Sequence, residues 1–496
     1  MASQRALLPR STPAAAGISS TAILALLDEL ERQSVECHSI MIVYGGQVVA
    51  EGWWAPYSAE RPHLLYSLTK SFTSIAVGLA IHDGLLSLDD RVVDVLSDHV
   101  PSEISEQGRR ITVHHLLSMT AGHGKDSLEE AWELEPSDLV KGFLRAPFLA
   151  AEGTQHDYDN ATTFILARMV ERVTGRELPE FLDERLFKPI GIEGAEWDRV
   201  ASGAAFGFHG LHLTTEAIAA FGELLLRGGR WGDQQLVPPE WVELATRRHI
   251  ETLPLPNWLP NPDFVSGYGY QFWISRHGYF GHGSFGQYCV VVPSHNLVIA
   301  FTGAVGPTNV LPGLFWDHLL DATPATPEDD SRLTNRLQQL SMPTVLGSAA
   351  PTPSAKATPS AEAALGTRSA KATLGTRSIK ATIDASPDNS ALPDGTPVTV
   401  DLTSNGWLIH LGPSLTIKAG HNAWQESSPL GRPVVASAAW QDDTFVADLY
   451  VITTPHRVHL TITGTTATTT WNTVPLTGPN LTLHLQSPLM TRPDVA

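Results

Sequence analysis

A serine and a lysine three positions apart, Ser67 and Lys70, have the residue types and the spacing for nucleophilic catalysis. A neutral lysine amine beside a serine hydroxyl can accept its proton and so turn the oxygen into a nucleophile. The chain contains eight lysines, and Lys70 alone has a serine at the third position before it. By itself the pair is a weak indication of catalysis, and its role must be inferred from the surrounding residues.

The segment after Ser67 predicts a buried helix. Residues 68–82 contain no proline, their first glycine is Gly78, and their second half is almost wholly apolar, with an end near Gly84. Ser67 would lie at the first turn, where free N–H groups and the helix dipole favour developing negative charge. Lys70 would follow one turn later on the same face, and its burial would lower its pKa toward that of a base. The alternative is that Ser67 only caps the helix and Lys70 extends to solvent.

Tyr158 and Asn160 precede a helical pattern that runs from Ala161 to Thr174 and closes at Gly175. In the extended stretch before this helix, the two side chains would point the same way. Both would then face a cleft, where the phenol relays protons and the amide binds the lysine or the substrate. The alternative is that Asn160 is simply the N-cap of the helix.

The segment Gly281–Gln287, which includes His282, Gly283 and Phe285, is rich in small residues and leads into a predicted strand over 288–292. Small residues allow a ligand to approach the backbone closely, and an edge strand offers N–H donors to an oxyanion. The alternative is a glycine-rich hairpin with an incidental histidine.

The elements that must position these residues predict an α/β fold. A helix over 19–31, capped by Ser20 or Thr21, and two strands around a Gly45-Gly46 turn precede Ser67. Helical patterns dominate 67–246. Strand patterns and a final helix follow at 268–275, 287–292, 297–302 and 309–321. This order predicts one domain over 1–322, with an antiparallel sheet assembled from both ends, flanking terminal helices and an inserted helical region.

Residues 323–394 are predicted to be a linker. After a short polar helix near 331–340, they become rich in Ala, Thr, Ser and Pro. They contain a near-repeat, 365–373 followed by 374–382, with few large apolar residues. A short repeat of this composition is typical of a flexible linker rather than a solenoid.

Residues 395–486 are predicted to be a small all-β accessory domain, a sandwich or a barrel, because apolar and polar residues alternate between turn residues. No cluster of catalytic residue types is evident there. The alternating runs are 398–402, 407–411, 445–451, 458–463 and 481–485.

Taken together, Ser67-x-x-Lys70, Tyr158-x-Asn160 and the motif at His282 resemble the three ordered motifs of the β-lactamase-related serine hydrolases. This family includes class C β-lactamases, D-alanyl-D-alanine carboxypeptidases, D-aminopeptidases, family VIII esterases and 6-aminohexanoate-dimer hydrolases. The similarity spans residues 10–322 and includes segments outside the motifs, at Leu85–Val92, Ile111–Gly122 and Gly210–Thr215. Penicillin-recognising members usually carry Lys-Thr-Gly as the third motif. The His-Gly-Ser of this chain is more similar to the D-aminopeptidase and esterase branches.

The resemblance implies the fold of β-lactamases and penicillin-binding proteins and an acyl-enzyme mechanism. Ser67 would attack a carbonyl carbon, Lys70 and Tyr158 would pass the proton to the leaving group, and water would then hydrolyse the ester on Ser67. The oxyanion hole would combine the Ser67 N–H with an N–H near Phe285. No metal or organic cofactor is implied. The substrate-binding residues implied in the same way are Asn160, His282, Gly283 and Phe285.

Bulk properties limit the partners. A formal charge of −19 on 496 residues argues against nucleic acid and anionic membranes. Two distant cysteines, Cys37 and Cys289, make no disulfide framework, and no apolar run fits a signal peptide or a membrane span, so a cytoplasmic location is expected. His114, His115 and His123 fit no standard metal-ligand spacing and are expected in loops or packing.

The leading hypothesis is therefore a cytoplasmic serine hydrolase that acts on small carboxylic esters or amides. The sequence is also compatible with assembly into a homo-oligomer. The sequence from Gly267 through Pro293 resembles the branch that holds the nylon-oligomer hydrolases. The alternatives are a binding or scaffold protein that retains the fold, and a D-amino-acid peptidase or weak β-lactamase.

Overall fold

Six antiparallel strands from two distant segments form the main sheet. Among the residues described, they are β1 (Cys37–Tyr44), β2 (Gln47–Trp53), β3 (Trp273–Ile274), β4 (Tyr279–Gly283), β5 (Gln287–Val292) and β6 (Leu297–Gly303). Their order is β2-β1-β6-β5-β4-β3. β1 pairs with β6 along its length, so the two ends of this part of the chain meet at the centre of the sheet. The predicted assembly of the sheet from both ends is confirmed.

The computed structural model describes residues 6–200, 202–252, 261–306, 310–320, 326–351, 378–488 and 490–491. The chain divides into two units, Met1–Ser341 with Met490–Ala496, and Met342–Leu489. No helix in the described part of the chain has the length and apolarity needed to cross a membrane.

The turn between β1 and β2 consists of Gly45 and Gly46, whose φ angles are 58° and 81°. Both lie in the left-handed region that glycine adopts without a steric penalty, which is what a two-residue hairpin turn requires. By contrast, most of the predicted strand over 268–275 is a loop, and only β3 is extended. Gln271 has a φ of 68°, and its side chain binds the Leu117 carbonyl at 2.9 Å, so the chain turns there instead of continuing along the sheet.

Helices cover both faces of the sheet. The longer ones are α1 (Ser20–Arg32), α2 (Thr69–His82), α3 (Asn160–Thr174), α4 (Thr215–Leu226), α5 (Leu311–Leu319) and α6 (Pro327–Gln338). Alternate residues of β1 separate the two faces. Ile40 and Ile42 are buried in one cluster with α1 and α5, and Met41 and Val43 in another with α2 and α4. The N-cap of α1 is Ser19, which accepts from the Ala22 N–H, and not Ser20 or Thr21.

Short elements complete the first unit. Helical segments of three to eight residues lie at Pro13–Ala16, Tyr66–Leu68, Val92–Val95, Ser97–His99, Gly108–Arg110, Val113–Leu117, Leu128–Leu134, Leu139–Arg145, Leu178–Leu182, Asp183–Phe187, Lys188–Ile190, Pro239–Thr246 and Pro293–His295. Short strands lie at His63–Leu64, Glu196–Trp197, Arg199–Val200, Leu211–Leu213, Arg230–Trp231, Gln234–Gln235 and Met490–Thr491.

The first unit extends past residue 322, where the sequence placed the end of the domain. α6 begins with a capping box between Thr326 and Asp329, and its Leu333 is 2% exposed in the cluster that contains α1. Burial of this apolar residue attaches the otherwise polar helix to the first unit. Of the predicted linker, residues 352–377 lie outside the described residues, including most of the near-repeat.

The second unit is a barrel-like all-β region, as predicted. Its strands are β7 (Ser378–Ile383), β8 (Pro397–Thr403), β9 (Gly406–Leu411), β10 (Leu415–His421), β11 (Gln425–Ser427), β12 (Val434–Gln441), β13 (Thr444–Val451), β14 (Arg457–Thr463) and β15 (Thr466–Trp471). Parallel pairings of β7 with β15 and of β10 with β12 close the sheet on itself. The enclosed core includes Trp407 and Phe445, which are 2% and 0% exposed.

Residues 481–485 form a helix, Leu481–His484, and not the predicted strand. Asn480 caps it by accepting from the Thr482 N–H at 3.0 Å. Leu481 and Leu485, four residues apart, are 1% and 0% exposed. The leucines recur at a spacing that fits both a strand and one face of a short helix, and the cap together with burial selects the helix.

Candidate active site

Ser67 lies in a tight turn that leads directly into the most buried helix of the first unit. The turn is the 3-10 segment Tyr66–Leu68, and α2 follows without a break. Tyr66 has a φ of 48°, in the left-handed region that non-glycine residues rarely adopt. The Leu68 N–H donates to the Leu65 carbonyl at 3.2 Å. The turn therefore holds the Ser67 hydroxyl at a fixed place just before the helix.

Lys70 is buried, with 1% of its surface exposed, and its amine contacts three oxygens. Nζ lies 2.8 Å from Ser67 Oγ, 2.7 Å from Asn160 Oδ1 and 3.1 Å from the Phe208 carbonyl oxygen. The amide and carbonyl oxygens can only accept hydrogen bonds. A neutral amine can satisfy them with its two N–H groups, which leaves its lone pair directed at the Ser67 hydroxyl.

The electrostatic environment favours this neutral form. Burial lowers the pKa of Lys70 to about 7, and the negative charges of Asp126 and Asp159 act in the opposite direction. Loss of water around an ammonium group destabilises the charged form more than the neutral one. Lys70 can therefore exchange a proton near neutral pH, as the sequence predicted from its place in a buried helix.

Tyr158 lies beside both Lys70 and Ser67. Lys70 Nζ is 5.0 Å from the centroid of its ring, and the phenol hydrogen-bonds Ser67. Burial raises the pKa of Tyr158 above its usual value, although the bond to Ser67 acts in the opposite direction. The phenol therefore stays protonated and can donate. Its ring stacks on Trp273 with a centroid distance of 5.7 Å and an angle of 13°, so the aromatic segment before β4 supports it.

Asn160 is the first residue of α3, and its N-cap is Asp159. The prediction of Asn160 as a helix cap is thus wrong by one residue: Asp159 Oδ1 accepts from the Ala161 N–H at 2.9 Å. This frees the Asn160 side chain to contact Lys70. Burial, followed by the charge of Asp126, raises the pKa of Asp159 well above its usual value.

His282 and Gly283 lie at the end of β4. On one side both residues pair with β5. On the other side, the described residues pair no strand with β4 beyond Phe280 and Trp273, so this side of His282 and Gly283 is an edge of the sheet. A Cβ on Gly283 would lie 1.9 Å from the Leu65 carbonyl oxygen. The glycine therefore allows the strand to approach the turn that carries Ser67.

His282 is buried, and burial together with the charge of Lys70 lowers its pKa to about 3. The imidazole is therefore uncharged at neutral pH. Phe285 follows in the turn after β4 with a φ of 65°, and its ring lies 5.2 Å from that of Tyr66. Every residue predicted for the site thus belongs to one neighbourhood around Ser67.

Two groups of the site, the Phe208 carbonyl and Asp126, could not be recognised from the sequence. The Phe208 carbonyl is a backbone group, so the residue type does not reveal it. Asp126 lies in an exposed loop and accepts hydrogen bonds from Asn160. Its neighbour His123 packs against the ring of Phe148 at 4.2 Å and contacts the Phe143 carbonyl at 3.2 Å, and no metal-binding cluster occurs among the described residues.

Comparison with known proteins agrees with this arrangement. The sequence profile of the Beta-lactamase family matches residues 25–310, more than half of the 496 residues. The chain belongs to the Beta-lactamase family. Its fold is that of the β-lactamases and penicillin-binding proteins, as the three motifs predicted.

Relatives within the Beta-lactamase family differ in what they hydrolyse. The 6-aminohexanoate-dimer hydrolase of Paenarthrobacter ureafaciens is 26% identical over 252 residues, which cover 47% of this chain and 63% of that protein. Esterase EstB of Burkholderia gladioli is 30% identical over 152 residues, or 28% of this chain and 38% of that protein. The chain thus matches less than two thirds of either relative.

The fold of the first unit also occurs in a solved structure. EstCE1, a hydrolase with promiscuous acyltransferase activity, superposes with a TM-score of 0.50 at 17% identity. The superposition covers 60% of this chain and 98% of EstCE1.

Proposed function

We propose that this enzyme hydrolyses small carboxylic esters or amides through an acyl-enzyme on Ser67. The observation that carries the proposal is the hydrogen bonding of Lys70. Its amine lies 2.8 Å from Ser67 Oγ and faces two oxygens that can only accept. Such an amine, with its pKa near 7, is suited to remove the Ser67 proton at the moment of attack.

The reaction proceeds in two halves. In the first, Ser67 Oγ bonds to the carbonyl carbon and its proton moves to Lys70 Nζ. The bond to the leaving group then breaks, and Tyr158 protonates the departing oxygen or nitrogen while it recovers a proton from Lys70. In the second half, water gives a proton to the same base and attacks the ester carbonyl, and Ser67 Oγ leaves with a proton. The backbone N–H groups of Ser67 and Phe285 stabilise the oxyanion in both halves.

The remaining predicted residues orient these groups. Asn160 holds Lys70 through Oδ1 at 2.7 Å. Gly283 keeps β4 against the turn that carries Ser67, and His282 faces the polar end of the substrate. No metal or organic cofactor has a part in this scheme.

The electrostatics of His282 support neutral esters and small amides over penicillins. Penicillins carry a carboxylate, and a lysine in the third motif would offer it a positive charge. His282 is uncharged because its pKa is about 3. The names of the two relatives, an esterase and an amide-dimer hydrolase, fit the same substrate class.

Labelling with a fluorophosphonate tests the proposal. In this reaction a serine oxygen bonds to phosphorus, fluoride leaves and the serine proton is released. We expect one adduct per chain. Trypsin should place it on the peptide Gln33–Lys70, since the Arg61-Pro62 bond resists cleavage, and fragmentation should locate it on Ser67. An adduct on the next peptide, Ser71–Arg91, would mean that another serine is the nucleophile. A protein that is neither labelled nor active on p-nitrophenyl butyrate would support a scaffold role instead.

The pH dependence of kcat/KM gives a second prediction. Only neutral Lys70 can act as the base, and its pKa is about 7, so kcat/KM should rise about tenfold per pH unit below about pH 7 and level off above it. The raised pKa of Tyr158 keeps the plateau flat into alkaline solution. The measurement is ester hydrolysis corrected for spontaneous breakdown. An inflection near the usual carboxyl range would mean that another group is the base.

A further inference from the structure

Asp126 accepts hydrogen bonds from both the backbone and the side-chain amide of Asn160. Asp126 Oδ1 accepts from the Asn160 backbone N–H at 3.0 Å, and Oδ2 accepts from the side-chain Nδ2 at 2.5 Å. An amide whose nitrogen is held on one side presents its oxygen on the other, and Asn160 Oδ1 lies 2.7 Å from Lys70 Nζ. We infer that Asp126 is a positioning residue that fixes the orientation of the Asn160 amide, so that Lys70 meets an acceptor and never a donor. The inference rests on the proposed function.

The orientation matters because the two faces of an amide have opposite effects on an amine. With Oδ1 toward Lys70, an N–H of the amine is satisfied and the lone pair remains available to Ser67. With the amide turned over, the Asn160 NH₂ group would point at Lys70 and compete with the Ser67 hydroxyl for that lone pair. The base would then be hydrogen-bonded to the wrong partner.

The loop that carries Asp126 is anchored to the same end of α3. The N–H and the hydroxyl of Ser127 donate to Asp159 at 3.2 and 2.8 Å, and Asp126 Oδ1 also accepts from the Leu128 N–H at 3.2 Å. Asp159 is 2% exposed and holds the loop, whereas Asp126 is exposed and holds the amide. Because Asp126 remains in contact with water, replacing it does not leave a buried group unpaired, and the variant should fold.

Substitution of Asp126 by asparagine should reverse the amide. The new side chain has one oxygen and one NH₂ group. With its oxygen on the Asn160 N–H, its NH₂ group faces the Asn160 NH₂ group, and two donors cannot share a hydrogen bond. The Asn160 amide must then turn over, which places its NH₂ group against Lys70.

The same substitution should move the pH profile. The charged and titratable groups that face Lys70 are Asp126 from the loop, Asp159 and Tyr158 at the start of α3, and His282 from β4. Tyr158 and His282 are uncharged near neutral pH. Removing the negative charge of Asp126 makes the ammonium form of Lys70 less favourable, so its pKa falls and the acid limb of kcat/KM moves to lower pH.

The test compares Asp126→Asn and Asp126→Glu with Asp157→Asn in the full-length protein. Asp157 accepts from the Gly124 N–H, which belongs to the same loop as Asp126, at 2.9 Å. Among the described residues it makes no hydrogen bond to Asn160, so it is a matched control. Measurements are the pH profile of kcat/KM on p-nitrophenyl butyrate, the rate of fluorophosphonate labelling and the midpoint of thermal unfolding. Asp126→Asn should lose about 10- to 100-fold in kcat/KM at its plateau, mostly in kcat, with the acid limb at lower pH. Asp126→Glu keeps the charge, so its acid limb should stay in place while kcat/KM falls less.

The outcomes separate the two proposals. A wild type that is labelled and active, with an Asp157→Asn variant that behaves like it, leaves the proposed function standing in every case. If Asp126→Asn then keeps the wild-type acid limb, or if both Asp126 variants keep wild-type kcat/KM, the positioning role is wrong. Should Asp126→Asn unfold, the plateau of Asp126→Glu decides instead: wild-type kcat/KM overturns the positioning role, and a lower kcat with the acid limb in place supports it. A wild type that is neither labelled nor active overturns the proposed function and the positioning role with it.

Discussion

Replacing Lys70 by methionine is expected to lower kcat/KM for p-nitrophenyl butyrate by about 10³- to 10⁴-fold, which is the upper range for loss of a general base. Methionine keeps an unbranched chain of similar length in a site where the lysine is 1% exposed, so the surrounding core is retained. It has no lone pair basic enough to take the Ser67 proton. Fluorophosphonate labelling should fall by a similar factor, because the first bond to Ser67 needs the same base.

Two further variants sharpen this test. In Lys70→Arg the guanidinium cannot release its proton, so a charged side chain at this position should be as inactive as methionine. Lys125→Met is the control, because it removes an exposed lysine next to Asp126 whose amine forms an ion pair with Glu130 at 2.9 Å. Surface ion pairs contribute little, so kcat/KM of this variant should stay within about twofold of the wild-type value. Wild-type labelling of a folded Lys70→Met protein would contradict the assignment of Lys70 as the base.

The sequence predicted those site residues whose proximity follows from a pattern within one short segment. Ser67 and Lys70 are three positions apart in a segment whose apolar pattern requires a buried helix, so their proximity follows from helical geometry. Lys70 and Asn160 are 90 positions apart. No spacing rule brings them together, and from the sequence the lysine was only one of two partners expected for the Asn160 amide, the substrate being the other.

The groups that the sequence did not reveal act through the backbone or through position alone. The Phe208 carbonyl binds Lys70 at 3.1 Å, and any residue type could provide it. Asp126 has the composition of an ordinary exposed loop residue. Asp159, between Tyr158 and Asn160, caps α3 and holds the loop of Asp126. Such roles depend on tertiary contacts that periodicity does not encode.

The fold was predictable where apolar residues repeat over a long run. β1, β5 and β6 are buried along nearly their whole length and read as strands. β12 is rich in alanine, which does not favour strands, so the sequence did not predict this element. The boundary at residue 322 was placed by composition. The Thr326 and Asp329 capping box was the local evidence that an ordered helix continues beyond it.

Replacing Gly283 by alanine is expected to lower kcat/KM by about 10²- to 10³-fold, the range for loss of one oxyanion donor. The added Cβ would lie 1.9 Å from the Leu65 carbonyl oxygen and 3.0 Å from the Leu65 carbonyl carbon. These are backbone atoms that cannot rotate away, so the end of β4 must move off the turn that carries Ser67. The Phe285 N–H, two residues further on, would move with it.

Gly281 and Gly313 provide two comparison sites. A Cβ on Gly281 would meet Leu68 Cδ1 at 2.3 Å and Ser71 Oγ at 2.7 Å, which are side-chain atoms that can shift, so Gly281→Ala should cost less than Gly283→Ala. Gly313 in α5 has no such neighbour within 4 Å, and Gly313→Ala should leave kcat/KM unchanged and raise the free energy of unfolding by about 0.5–1 kcal/mol. All three are compared by kcat/KM and by thermal unfolding. If Gly283→Ala is folded and as active as Gly313→Ala, the end of β4 does not form part of the oxyanion hole, because a strand displaced from Ser67 could not leave that site intact.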